Sequence, residues 1–208
     1  MNGFELTREN ISDLKSQVIV DGKIVIHSSE FYHQVGLNKT LLLMLEAGIY
    51  VLPTTELIQW LKDNIVGTAI EIGCGNGAIG RALGIPFSDS KMQQRPNIAA
   101  IYAIMGQPPI VYPDDVETLE ASDAIQKYQP NTVIGGFITM KWDGRVGNPY
   151  GVDTLGIVQS GIKYMMIGNT ITHKDNPEMK LPHIEHSFDW LIARVANQGA
   201  NRIFVWNG

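Results

Sequence analysis

Cysteine is almost absent from this chain. The single copy, Cys74, has no partner for an internal disulfide and sits among glycines where a small side chain is needed anyway, so the expectation is a fold without covalent staples in a reducing, cytoplasmic setting. Long apolar runs are missing too. Runs such as Leu41 to Leu45 are far short of the roughly 20 residues that cross a bilayer, and MNGFELTREN lacks the apolar stretch of a secretory leader; neither a membrane span nor a leader is expected. There is no excess of positive charge. The net charge is -5 and the basic residues are scattered singly, which leaves duplex nucleic acid without its electrostatic footprint and makes it a poor first partner. Internal repeats and low-complexity tracts are lacking as well.

What is there suits a folded α/β protein. A chain of 208 residues is long enough to bury one large core without metal or disulfides. Gln17 to His27 reads as a hairpin turning on Asp21-Gly22, a dipeptide that tolerates the positive φ angles of a type I′ turn. Ser28 or Ser29 then caps helical periodicity from Phe31 to Gly48, and Thr54 or Thr55 caps a helix whose Leu57, Ile58 and Leu61 share one face. Leu41 to Leu45 reads as core or as a homodimer face.

From Thr68 strands and helices alternate, which implies a parallel sheet. Strands are expected at Thr68 to Ile72, Ile85 to Ser88, Ile110 to Tyr112, Thr132 to Ile138, Lys163 to Gly168 and Arg202 to Trp206, six in all. Helices are expected at Ala78 to Leu83, Ile98 to Met105, Val116 to Tyr128, a short segment after Gly151, and Ile184 to Asn197. The predicted organisation is therefore an N-terminal hairpin and helical cap over 1–66 and a Rossmann-like domain over 67–208.

The chemistry concentrates in Ile70-Glu-Ile-Gly-Cys-Gly-Asn-Gly-Ala-Ile-Gly80, with glycines at 73, 75, 77 and 80 between an apolar strand and a helix start. Glycine there allows a tight strand-to-helix turn and lets the backbone approach a ligand. Gly75, Gly77 and Gly80 satisfy the dinucleotide pattern G-x-G-x-x-G, so a nicotinamide enzyme is one alternative. A pyrophosphate would meet Glu71 as an unwelcome neighbour, which argues against it.

The acidic residue, one apolar residue and G-x-G-x-G resemble the first motif of the class I S-adenosylmethionine-dependent methyltransferases. That resemblance implies a Rossmann-like methyltransferase fold and a cofactor held by Glu71, Gly73, Cys74, Gly75, Asn76 and Gly77. It also implies that Asp89, with Ser90 beside it, holds the ribose hydroxyls, and that Asp114 or Asp115 contacts the adenine amino group. Only one strand follows the expected last helix, so the family's C-terminal hairpin is expected to be trimmed. The strand ending Gly135-Gly136-Phe137-Ile138-Thr139 shows no Asn- or Asp-Pro-Pro-aromatic motif of the amino-methylating nucleic-acid enzymes. The resemblance thus implies methyl transfer to an unknown acceptor, a small molecule being favoured. A cofactor-binding module without transfer, or another reaction on the same cofactor, stands beside it.

Further candidates have weaker warrants. His27, Tyr32 and His33 are candidates for a general base in the cap. Thr139, Lys141 and Trp142, and Ile167-Gly168-Asn169, follow strands at the edge where ligands sit in open α/β sheets. His183-x-x-His186 could show two imidazoles on one helical face, but without a third ligand no metal site is expected.

Overall fold

The computed structural model describes residues 6–138 and 151–207. Helix α1 (Ser12–Val18) leads into a two-stranded hairpin, β1 (Ile19–Val20) and β2 (Lys23–Ile24). The turn forms as its sequence dictates, with Asp21 and Gly22 both at positive φ, 50° and 73°. The hairpin is shorter than expected because Gln17 and Val18 belong to α1, where Val18 is fully buried.

Helix α2 (Ser29–Val35) is capped by the Ser28 hydroxyl, which accepts from the Phe31 amide at 3.2 Å. Gly36, at φ 90°, separates it from α3 (Leu37–Glu46). Leu41, Leu42, Leu43 and Met44 lie in a core shared with Leu14, Val18, Tyr32 and Leu52, so this apolar run is interior. Helix α4 (Thr55–Asn64) starts at Thr54, a fully buried cap whose hydroxyl accepts from the Leu57 amide. Thr54→Ala leaves that donor unpaired. It is expected to cost about 1–2 kcal/mol, read as a shifted midpoint in urea unfolding.

The main sheet has seven strands, ordered β5-β4-β3-β6-β7-β9-β8. They are β3 (Ala69–Ile72), β4 (Phe87–Asp89), β5 (Glu117–Thr118), β6 (Thr132–Gly136), β7 (Lys163–Asn169), β8 (Ile184–His186) and β9 (Asn201–Trp206). The first five run parallel, whereas β9 is antiparallel to both its neighbours. Between them run α5 (Ala78–Leu83), α6 (Pro96–Ile104), α7 (Ala121–Tyr128) and α8 (Thr154–Gln159). One sheet face packs Ile134, Met165, Ile203 and Val205 against α4 and Ile79 of α5. The other packs Ile70, Val133, Tyr164 and Trp206 against Ala124 of α7 and Ile157 of α8. This is the α/β fold expected: a Rossmann-like, mostly parallel central sheet with an N-terminal hairpin and helices beside it.

Three expectations are corrected. Ile184 to Asn197 is not a helix. Leu191 and Ala193 face the sheet core while Ile192 faces the N-terminal core, an alternation of period two. The segment is drawn out by pairing with the cap: the Leu52 amide donates to the Ile192 carbonyl and the Arg194 amide to the Tyr50 carbonyl. The sheet consequently has seven strands where six were expected, and its C-terminal hairpin, β8 with β9, is present and not trimmed. Finally, Ile110 to Tyr112 forms no strand. The strand there is β5, made from residues expected to open the helix that actually begins at Ala121.

Candidate functional site

Strand order reverses between β3 and β6, since the chain moves to β4 and β5 on one side and to β7 on the other. Open α/β sheets bind ligands in the crevice at such a switch, outside the carboxyl ends of the strands. The glycine loop leaves β3 at this point. Gly73, Gly75 and Gly77 all take positive φ (55°, 55° and 75°), and Gly77 is the left-handed residue from which α5 starts. Gly80 is needed for packing: a Cβ there would lie 2.6 Å from the Cβ of Phe87.

The acidic side chains are built into the loop. Glu71 is 3 % exposed and accepts from the Gly80 amide at 2.7 Å. Burial pushes its carboxyl up to about 8, and the nearby Asp89 charge adds to this, against the opposing pull of the Gly80 N–H and the more distant Arg81. At neutral pH and without ligand, Glu71 is therefore largely protonated. Asp89 ends β4, and its two oxygens accept from the Gly75 amide at 2.9 Å and the Lys91 amide at 2.7 Å. Burial raises its carboxyl, and these donors with the neighbouring Tyr112 hydroxyl oppose the rise. Burial likewise raises the Cys74 thiol, helped by the Glu71 and Asp89 charges, so Cys74 is not a thiolate nucleophile.

The remaining candidates divide by position. Asn76 pins the hairpin to the loop: its Nδ2 donates to the Gly22 carbonyl and its Oδ1 accepts from the Ile24 amide. Ser90 lines the cleft beside Asp89. Asp115 is engaged elsewhere, in a two-point pair with Arg81 and an ion pair with Lys23, and these cations hold its carboxyl well below the usual range. Asp114 is exposed at the turn after Pro113. Neither aspartate lines the cleft.

His27 stacks on Phe31, Tyr32 is buried in the N-terminal core, and His33 borders a different depression; none of the three lines the cleft. Asn169 is committed to a turn, its Oδ1 accepting from the Ile171 and Thr172 amides. His183 and His186 lie beside and at the end of the edge strand β8, not on a helix. Among the described residues no group of three His, Cys, Asp or Glu comes together to hold a metal. Thr139, Lys141 and Trp142 lie outside the described residues.

The cleft itself has two adjoining cavities, of about 70 and 140 Å³, sharing Tyr50, Gly73, Ile110 and Gly136. The first lies over the glycine loop and is closed by Val51 and Pro53, and the second reaches Asp89, Tyr112 and Phe137. Both are smaller than the roughly 300–1,000 Å³ of typical ligand pockets, and Ile110 stands between them. Hydrogen bonds hold that segment in place: the Ile110 amide donates to Gln93 Oε1 at 2.9 Å, Asn76 Nδ2 reaches the Val111 carbonyl at 3.3 Å, and the Tyr112 hydroxyl meets Asp89.

Comparison with known proteins adds little. No family model and no curated protein matches the sequence. Among solved structures, SMU.776, "a putative methyltransferase complexed with SAH", is similar at a low level, with 11% identity and a TM-score of 0.38. The overlap covers 72% of this chain and 48% of that one, so the chain spans about half the length of SMU.776. The fold stands on the strand order and register described above.

Sequence reading missed Tyr50, Gln93, Tyr112 and Phe137 as cleft residues. Phe137 had a local signal, its place directly after a buried strand. It adopts φ 48°, an uncommon conformation for a non-glycine residue, steadied by its amide donating to the Ile167 carbonyl and its ring standing 5.3 Å from His173. Tyr50 had none, because its role depends on the distant segment that packs on it.

Proposed function

We propose that the chain binds S-adenosylmethionine in the cleft above β3 and β6 and transfers its methyl group to a small molecule. The observation that carries this reading is Asp89. It lies one strand from the glycine loop at the switch point, buried beside the Gly75 amide, where a carboxylate meets ribose hydroxyls if adenosine lies along the loop. Gly73 to Gly77 would then run beneath the methionyl and ribose portions, with Asn76 and Cys74 at the loop's outer face. Neither Asp114 nor the ion-paired Asp115 lines the cleft, so neither is assigned to the adenine amino group.

The cleft lining among the described residues contains no histidine or lysine. Burial raises the Tyr102 and Tyr112 hydroxyls, so neither phenol is ionised near neutral pH. The proposed transfer therefore relies on positioning the acceptor in line with the methyl group rather than on a strong base. Such a site suits an acceptor that is already nucleophilic, such as an amine kept neutral or a thiolate.

The test is methyl transfer. Purified protein is incubated with methyl-tritiated S-adenosylmethionine and a small-molecule extract, followed by chromatography of products and quantification of S-adenosylhomocysteine. Label in a discrete acceptor, matched by S-adenosylhomocysteine and absent without protein, is the expected result. Tight cofactor binding with no transfer to any fraction would favour the binding-module reading.

A further inference from the structure

We propose that Arg194, whose guanidinium lies over the ring of the cleft residue Tyr50, is a carboxylate clamp beside the cleft. This inference rests on the cleft being a ligand site, though not on the identity of the ligand. The two cavities are lined by the acidic Glu71 and Asp89 and, among the described residues, by no lysine or arginine. Among the described residues, a cation for a ligand's carboxylate comes from the second layer of side chains. Arg194 is placed to supply it.

Its position is fixed by backbone pairing and by stacking. The Arg194 amide donates to the Tyr50 carbonyl at 2.9 Å, beside the antiparallel bridge of Val51 with Ala193. The guanidinium carbon then sits 3.9 Å from the centre of the Tyr50 ring, close enough for a cation–π contact. Tyr50 lines both cavities, and its hydroxyl lies 3.2 Å from that of Tyr102 in the second. The Arg194 charge is felt as far as Tyr102, whose hydroxyl it pulls down against the effect of burial.

Three other arginines are already paired. Arg81 is held by Asp115, Arg95 by Glu120, and Arg202 by Ser187 and the Gly199 and Asn201 carbonyls. Among the described residues none accepts a hydrogen bond from the Arg194 guanidinium and no carboxylate lies within 4.0 Å of it. A half-buried guanidinium held by stacking with its donor edge free matches the geometry of a carboxylate, which it can bind through two parallel hydrogen bonds.

The carboxylate has two possible sources, the methionyl end of the cofactor or an acidic acceptor, and three probes separate them. S-adenosylhomocysteine carries the methionyl carboxylate, 5′-methylthioadenosine lacks it, and benzoate is a carboxylate without adenosine. Binding of each is measured by calorimetry or saturation-transfer NMR to the wild type, to Arg194→Met and to Arg194→Lys, with melting curves to confirm that the variants fold. A loss of tenfold or more for S-adenosylhomocysteine in Arg194→Met, with 5′-methylthioadenosine unchanged, assigns the clamp to the cofactor. Benzoate binding that is lost in Arg194→Met and partly kept in Arg194→Lys, with both nucleosides unchanged, assigns it to the acceptor. Equal binding of S-adenosylhomocysteine and of benzoate by the wild type and Arg194→Met, or benzoate bound by neither with S-adenosylhomocysteine unaffected, overturns the proposal. Should the wild type bind neither nucleoside, the cofactor reading fails and the benzoate comparison alone decides the clamp.

Discussion

Gly75→Ala is expected to leave the protein folded while reducing S-adenosylhomocysteine binding by at least tenfold, whereas Gly77→Ala is expected to lose much of its stability. Both glycines have positive φ, so each substitution incurs about 1–2 kcal/mol of left-handed strain. The surroundings then separate them. A Cβ on Gly75 would meet only the Ile110 side chain, at 3.4 Å, and would project into the cleft against the ligand's path. A Cβ on Gly77 would lie 2.6 Å from the Phe87 ring and 3.2 Å from Val116. Overpacking of that kind adds about 1–3 kcal/mol, and the sum is a large part of the roughly 5–15 kcal/mol that holds a domain together. Thermal melting alongside calorimetric titration reads both effects. Wild-type affinity in a folded Gly75→Ala variant would place the ligand away from this loop.

Glu71→Gln is expected to stabilise the empty protein, by an amount that grows with pH. Burial raises the Glu71 carboxyl from its ordinary 4.5 to about 8 in the folded chain. Between those values the folded state binds more protons at this residue than the unfolded state. Stability from Glu71 is thus complete below about pH 4.5 and is lost as pH rises toward 8. Glutamine keeps the acceptor for the Gly80 amide and has no charge to desolvate. The wild type should therefore lose melting temperature between pH 5 and 8.5 more steeply than the variant. The gap at the alkaline end should reach a few kcal/mol, on the order of 1.4 kcal/mol for each tenfold weakening of the acid on folding. Asp89 is raised in the same direction by burial and its charge adds to the Glu71 shift, so the comparison reads Glu71 together with that coupling. Parallel curves would mean that Glu71 is ionised in the empty protein, with its charge compensated.

The same residue would link stability to the proposed cofactor. A sulfonium and an ammonium group in the cleft would favour ionised Glu71, so binding near neutral pH should release protons. A buried acid that is costly in the empty protein and compensated by a cationic ligand fits a site whose stability is partly supplied by what it binds.

The parts of this structure that were legible in the sequence were those decided locally. The Asp21-Gly22 turn, the Thr54 cap, helix α5 and the glycine loop each follow from conformational demands that a few neighbouring residues express. The place of Asp89 at the carboxyl end of the second strand was legible because it needs only the strand to be recognised, whereas its ribose role came from the family resemblance. The illegible parts were decided by partners far away in sequence. Leu191 to Val195 has a composition compatible with helix, and only its pairing with Tyr50 to Leu52 and its position between two cores make it extended. Ile110 to Tyr112 looks like a strand because its residues are β-branched and aromatic, yet Gln93 and Asn76 hold it across the cleft mouth. A two-residue strand such as β5 gives too short a pattern to read. Tyr50 enters the cleft from the cap by the same long-range packing that places Arg194 on its ring.

Calorimetric titration of the wild-type protein with S-adenosylmethionine and S-adenosylhomocysteine, with NAD and ATP in parallel, tests the central claim most directly. Micromolar binding of the first two at one site per chain, with NAD and ATP at least a hundredfold weaker, is the predicted result. Binding of NAD in preference to both, or of no adenosine ligand at all, would contradict it.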